Sequence, residues 1–285
     1  MLYPNLWCIN IPTKIQIIKY VDFFKNPPIL LDVNSNRFIA EIAGKDSIAA
    51  VIQLFKKNEV KSLLGISLYH RVLYGNKNEP WENFDYLVKL YLSKKLDFMP
   101  FIYLDVGNLF EQLILQNIAI VQKYFGHFTP CPACHLFLHM MRIPIANFYN
   151  IQKIITGERE SHNSVEKLNQ ISEILDLYKS LLKKHQIELV QPLRKIKNDV
   201  NIYRILGYQW RNNINTLNCS FSKNYYDENG KIPFELDRIK YSITNFYFPL
   251  FSSVINFIST QHKEPDEHWF REKILKVIDT LKDKM

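Results

Sequence analysis

The cysteines are the first residues in this chain whose type and spacing can do chemistry. There are four, Cys8, Cys131, Cys134 and Cys219. That is too few for a disulfide framework at 285 residues. Cys131 and Cys134 are spaced Cys-x-x-Cys in Thr129-Pro130-Cys131-Pro132-Ala133-Cys134-His135. In a reducing compartment that spacing reads as metal or redox chemistry. The segment opens a helix, so both sulfurs are expected to face one metal, with thiol pKa values lowered by the helix dipole. Cys219 lies far downstream in a polar stretch and is expected to join them. Three thiolates on a cubane leave one iron open, whereas zinc needs a fourth ligand such as His135 or His139, four apart on one helix face. Thiolate sets suit both metals, and three unligated thiols are a further reading. Arg142, two turns after Cys134, suits an anion or a structural ion pair. Cys8, beside Trp7, reads as a core cysteine.

A second constellation is Ala43-Gly44-Lys45-Asp46-Ser47, between the strand pattern Asn36–Ile42 and the helix pattern Ile48–Phe55. Backbone N–H groups at a helix start cradle phosphate, and the dipole favours the anion. Gly44 permits close approach of backbone to ligand. Lys45 neutralises phosphate charge, Asp46 suits Mg²⁺, and Ser47 bonds phosphate or caps the helix. The plain alternative is an ordinary strand-to-helix turn with a Ser or Asp cap. His70 and Arg71 follow a second strand; Glu158, Arg159 and His162 follow a fourth. Lys223, Asn224 and Tyr225, just after Cys219, are placed at the same opening. Lys183-Lys184-His185 reads as a solvated helix end, where cations are favoured.

The elements that must position these residues alternate. Strand patterns at 36–42, 63–69, 98–104, 151–156 and 187–190 are separated by helix patterns at 48–55, 81–94, 109–124, 134–149 and 165–185. Ile15 to Phe24 reads as a short helix closed by Asn26-Pro27-Pro28. Alternation predicts the α/β class, a doubly wound parallel sheet covered on both faces, with a helical C-terminal extension. The expected divisions are an N-terminal preface (1–30), a nucleotide-binding α/β domain (31–207), and the Cys219 loop with the helical C-terminal region (208–285). Ligands then bind beyond the carboxyl ends of the strands.

Composition bounds the rest. Hydrophobic residues make up 47% and charged residues 22%, which excludes whole-chain disorder. The net charge of +8 suits an anionic partner such as RNA, or simply a soluble lysine-rich surface. The start carries no signal-peptide pattern, and the expectation is a cytoplasmic protein. Tyr241 to Thr260 has no charged residue, but eight polar side chains and Pro249 argue against a membrane span. It reads as a buried aromatic segment or a subunit interface, the latter compatible with a homodimer.

The segment Ile42-Ala43-Gly44-Lys45-Asp46-Ser47 resembles the Ser-Gly-Gly-x-Asp-Ser loop of the PP-loop ATP pyrophosphatases, of the adenine nucleotide alpha hydrolase-like superfamily. Ile42 and Ala43 depart from that pattern. The strand ending at Gly157 and the later Gln191-Pro192-Leu193-Arg194 also resemble the family, over about residues 36–207. Many relatives carry Gly-His-x-x-Asp-Asp where this chain has Gly157-Glu158-Arg159-Glu160-Ser161-His162. Cys131, Cys134, Arg142, the Gly157 strand and Cys219 resemble in layout the tRNA 2-thiocytidine and 2-thiouridine synthetases. That resemblance implies an ATP-dependent sulfur-transfer enzyme forming AMP and pyrophosphate, with a tRNA or other nucleobase substrate and a sulfur donor. It implies Ala43, Gly44, Lys45, Asp46, Ser47, Ile66, Ser67 and Gly157 at ATP and Mg²⁺, Lys45, Asp46 and Arg159 in catalysis, and Cys131, Cys134 and Cys219 on a [4Fe-4S] cluster. The rivals are a PP-loop ligase or amidating enzyme with structural zinc, and a non-catalytic nucleotide- or RNA-binding module.

Overall fold

The computed structural model describes residues 16–28, 36–91, 97–98, 100–163, 165–210, 216–222, 225–229 and 231–283. The strands are β1 (Ile18–Lys19), β2 (Arg37–Glu41), β3 (Ser62–Tyr69), β4 (Leu73–Gly75), β5 (Asp97–Phe98), β6 (Ile102–Asp105), β7 (Lys153–Ile155), β8 (Glu188–Val190) and β9 (Leu217–Cys219). The helices are α1 (Asp22–Lys25), α2 (Lys45–Lys56), α3 (Glu79–Tyr91), α4 (Gly107–Leu113), α5 (Ile118–Phe125), α6 (Cys131–Met140), α7 (Ile143–Phe148), α8 (Ser172–Lys183), α9 (Asp199–Leu206), α10 (Leu236–Ser242), α11 (Phe248–Gln261) and α12 (Glu267–Lys282).

The sheet runs β1-β6-β3-β2-β7-β8, with β5 also on β3, and every pairing in it is parallel. Side chains alternate across it, as strand geometry requires. Ile39, Leu64, Ile66 and Ile154 join one apolar core; Phe38, Ala40, Leu63 and Ile155 join the other. Helices α2, α3 and α9 contribute to the second core, and α4 to α8 with α10 to α12 to the first. This is the doubly wound α/β fold expected from the alternation. From β2 the chain order departs toward β3 on one side and toward β7 on the other. The segments after β2 and β7 therefore flank the topological switch point, where open parallel sheets bind ligands.

Local structure departs from the sequence patterns where side chains or prolines intervene. The 15–24 segment is not one helix: β1 pairs with β6 (Ile18 with Leu104), and only the turn at α1 is helical. The 109–124 pattern is broken at the 3-10 turn Leu115–Asn117, where the Asn117 amide donates to the Gln112 carbonyl. The 134–149 pattern begins earlier, at Cys131, and divides into α6 and α7 ahead of Pro144, whose missing N–H cannot continue a helix. The long 165–185 pattern makes a 3-10 turn at Leu168–Gln170 and becomes α-helical only at Ser172. The 208–235 stretch holds β9, antiparallel to β4 with Leu73 opposite Cys219.

The C-terminal helices are built into the first core. Phe246, Tyr247 and Phe251 are buried, and Phe251 meets Phe137 of α6 edge to face, 5.7 Å between ring centroids. Much of the aromatic 241–260 segment is thus packed inside the chain, the first of its two readings, while Tyr241 stays 40% exposed. No helix among the described residues is long and apolar enough to cross a membrane.

Candidate functional site

The turn between β2 and α2 is tied by its own serine. Ser47 Oγ accepts from the Ala43 N–H at 2.9 Å and donates to the Gly44 carbonyl at 2.7 Å. Gly44 caps α2 in an extended conformation. The N–H groups of the first helical turn have no intrahelical carbonyl to bond. Ala43, Gly44, Lys45, Asp46 and Ser47 all line one cavity of about 690 Å³. Gly157, after β7, closes that turn from the other side. A Cβ built on it would lie 2.3 Å from the Ser47 nitrogen and 2.7 Å from the Asp46 carbonyl oxygen. The two segments at the switch point are therefore packed backbone to backbone.

Beneath the turn lies an ion network only half visible in the sequence. Lys45 Nζ meets Asp199 Oδ2 at 2.5 Å and sits over the Tyr203 ring. Burial disfavours the Lys45 charge, but Asp199 outweighs it and raises the pKa. Asp199 in turn is lowered to about 2, burial being outweighed by Lys45 and Arg159. Arg159 is 0% exposed and reaches Asp199 Oδ1 at 2.6 Å, His162 Nδ1 at 2.8 Å and Asp46 Oδ2 at 3.2 Å. Arg159 is not among the residues lining the cavity; it reaches the cavity residue Asp46. Its Nε and Nη1, and Asp46 Oδ1, are buried without a hydrogen-bond partner. That free carboxylate oxygen beside open N–H groups fits a hard cation carried on phosphate oxygens. Lys167, on the cavity wall, has its pKa pulled down chiefly by burial. Neither Asp199 nor Lys167 lies in a recognisable motif; only the preceding Asn198 helix cap hinted that Asp199 begins a helix.

Ile66 and Ser67 do not reach the cavity. β3 continues to Tyr69, so both are interior strand residues; Ile66 is in the first core and its carbonyl accepts from the Ile42 N–H. His70 follows the strand but is buried on Phe110, with 4.3 Å between ring centroids. Burial, then nearby His135, pulls its pKa to about 4. Arg71 pairs with Glu111 near the surface. Arg142 is buried and donates to the Leu138 carbonyl, with Glu41 at 3.7 Å. His185 bonds Ser252 rather than standing free at a helix end.

The three downstream cysteines act on one another electrostatically. Cys131 and Cys134 are buried in the first turn of α6, and Cys219 is half-buried at the end of β9. Cys131 and Cys219 both act electrostatically on Cys134, as does the cavity residue Glu41. Cys131 Sγ lies 3.5 Å from the Phe221 carbonyl oxygen. The expected lowering of the thiol pKa does not occur. Burial pushes Cys131 up to about 12 and raises Cys134 and Cys219 as well, outweighing any helix dipole. Tyr178 and Tyr247 are buried close enough to feel these thiols. A soft donor set in a dry aromatic shell fits an iron–sulfur cluster. Cys8, Lys223 and Asn224 lie outside the described residues; Tyr225 is buried near Cys131.

The histidines that would complete a cysteine zinc site are engaged elsewhere. His135 Nδ1 and His139 Nε2 each lie 3.1 Å from Glu158 Oε1. Glu158 Oε2 accepts from Gln191 Nε2 at 2.8 Å and from Thr156 Oγ1 at 3.3 Å. Burial alone would raise the Glu158 pKa, but His139 and His135 hold it well below the usual carboxylate range. His135 and Glu158 line the same cavity as the phosphate-type loop.

Comparison with known proteins adds two likenesses. No family model matches the chain. The uncharacterized protein MJ0009 of Methanocaldococcus jannaschii is 30% identical over 213 residues, covering 74% of this chain and 76% of its own length. Among solved structures, the U34-tRNA thiolase NcsA from Methanococcus maripaludis with its [4Fe-4S] cluster gives a TM-score of 0.38 at 13% identity. That alignment covers 87% of this chain and 72% of the thiolase chain. The fold described above rests on the strand order and the packed turns, not on that superposition.

Proposed function

The chain belongs to the family of the Methanocaldococcus jannaschii protein MJ0009, and on that premise we propose that it is a PP-loop enzyme catalysing ATP-dependent sulfur transfer to a nucleobase, with tRNA as the expected substrate. One observation carries the reading: the 43–47 turn lines a cavity at the switch point, and Cys134, on which Cys131 and Cys219 act electrostatically, also feels Glu41 of that cavity wall.

The chemistry balances in two steps. A carbonyl oxygen of the base attacks the α-phosphorus of ATP, and the bond to pyrophosphate breaks. Hydrosulfide then attacks the activated carbon, the C–O bond to AMP breaks, and the sulfur's proton passes to solvent. The α2 N–H groups and Lys45 stabilise charge on the departing pyrophosphate, the preorganised electrostatics that dominate such steps. Asp46 Oδ1 offers a ligand for Mg²⁺ on the phosphates. Arg159 fixes Asp46 and Asp199, and Asp199 holds Lys45 until phosphate competes for it. Cys131, Cys134 and Cys219 would hold the cluster, which would supply a soft iron site able to bind the sulfur to be transferred. Tyr178 and Tyr247, buried beside the thiols, keep water from them.

The test supplies ATP, Mg²⁺, sulfide and bulk tRNA to anaerobically prepared protein. AMP and pyrophosphate should form, and digested RNA should contain thiolated nucleosides. Asp46→Asn should abolish both. Pyrophosphate without thiolated product would favour the nitrogen-transferring ligase; no pyrophosphate would overturn the reading.

A further inference from the structure

We propose that His135, His139 and Glu158 form a metal site of their own, distinct from the cysteines, holding one first-row divalent cation whose free coordination positions face the cavity.

The ligand atoms suit such an ion. Among the described residues, His135, His139 and Glu158 form the one set of metal-capable side chains whose ligand atoms all lie within 4.8 Å of one another. Two imidazole nitrogens and a carboxylate oxygen with open positions form the donor set of ferrous facial triads and of His₂Glu zinc centres. Metal–ligand bonds of about 2.0–2.1 Å put neighbouring ligand atoms about 2.9–3.4 Å apart. The two nitrogen-to-oxygen separations at Glu158 Oε1 are both 3.1 Å.

The surroundings of the set supply an independent observation. Metal-bound histidines are held by a partner on the second ring nitrogen, and metal-bound carboxylates are hydrogen-bonded in turn. His135 Nε2 lies 2.9 Å from the Asn169 side-chain amide, whose oxygen and nitrogen exchange places by a flip. The second oxygen of Glu158 is held by Gln191 and Thr156. His139 is 1% exposed, and its Nδ1 is buried without a hydrogen-bond partner, 4.0 Å from Glu41 Oε2. A neutral His139 donating through Nε2 to Glu158 would turn a bare lone pair toward the Glu41 carboxylate. Metal on Nε2 removes that mismatch, because the proton then sits on Nδ1 and points to Glu41. The competing arrangement is a protonated His139 held between the two carboxylates, with no metal.

His135 and Glu158 line the cavity that the Lys45 turn also lines, so a bound cation would present its open positions there. A cation so placed can polarise a substrate oxygen or bind a water. The proposal does not depend on the nucleotide reading, and cysteine-bound iron and ATP turnover are measured separately from it.

Co²⁺ is the probe, because thiolate ligands add a near-ultraviolet charge-transfer band that nitrogen and oxygen ligands do not. The chain carrying Cys131→Ser, Cys134→Ser and Cys219→Ser should still bind about one Co²⁺, with visible d–d bands and no charge-transfer band. Adding His135→Asn should remove that binding. Gln191→Ala should weaken it about 10–100-fold, as loss of an outer-shell partner does. His135 is the better variant than His139, because its side chain is 32% exposed and the change leaves the core intact. If the triple serine chain fails to fold by circular dichroism, the wild-type chain is titrated instead. There His135→Asn should lower the bound Co²⁺ by about one equivalent and leave the thiolate charge-transfer band unchanged. A folded triple serine chain that takes up no Co²⁺, or Co²⁺ affinity unchanged by His135→Asn, would overturn the proposal.

Discussion

Gly157 and Gly44 show how little a motif says about which glycine matters. A methyl on Gly157 would strike backbone atoms of Asp46 and Ser47, whereas one on Gly44 meets nothing within 4 Å. Gly157→Ala should therefore destabilise the protein by about 1–3 kcal/mol, as overpacking does, and weaken ATP binding. Gly44→Ala, at an ordinary φ of −88°, should leave the melting temperature nearly unchanged. Arg159→Ala should cost somewhat less than the roughly 3–5 kcal/mol of breaking a fully buried pair. The discount follows from its partners Asp46 and Asp199, whose side chains stay 20% and 24% exposed. Lys45→Ala should lower turnover about 10²–10³-fold, the cost of losing one charge-stabilising donor. At this scale the sequence exposed what lies in a contiguous motif: the turn at 43–47, Gly157 and the cysteine pair. Asp199 and Lys167 were hidden, and so was the convergence of His135 and His139 on Glu158, since long-range contacts define them.

At the scale of elements, the antiparallel pair of β4 and β9 decides whether Cys219 reaches the other thiols. Gly75 in β4 has φ +101°, and a methyl there would lie 2.3 Å from the Thr216 carbonyl oxygen. Glu79 at the start of α3 also accepts the Leu217 N–H. Gly75→Ala should displace β9 and lower iron retention several-fold by metal analysis, with little change in far-ultraviolet circular dichroism. A variant that keeps its iron would show that β9 does not position the site. The alternation of strands and helices was legible because both faces of the sheet are apolar and each pattern is long. The helix breaks at Asn117 and Pro144 were missed, because the apolar period runs through them. β1 was read as helix, since a two-residue edge strand has no period at all.

At the scale of the molecule, acid stability and the C-terminal helices are set by what the core encloses. Burial pulls His70, His127 and His162 from 6.5 to about 4. Unfolding returns each to its ordinary value, so the unfolded chain binds more protons between about pH 6.5 and pH 4. Stability is therefore fully present above that window and falls as pH drops through it. The melting temperature should decline from pH 7 to pH 4.5, and His127→Gln should shallow the decline; a flat profile would contradict the burial account. The C-terminal region looked like an extension because its apolar residues carry no sign of their partner. Phe246, Tyr247, Phe251, Val254 and Ile258 are all buried in the first core. At about 1.5–3 kcal/mol each, these five side chains rival the ~5–15 kcal/mol net stability of a whole protein. A chain ending at residue 235 should fail to melt cooperatively. The claim on which the functional account turns is that Cys131, Cys134 and Cys219 act together as one iron–sulfur ligand set. Iron and acid-labile sulfide, measured after anaerobic purification of wild type and the three single Cys→Ser variants, test it most directly. The account predicts about four irons and as many sulfides per chain, lost in every variant. Iron and sulfide missing from the wild type, or unchanged when any one of the three cysteines is replaced, would contradict it.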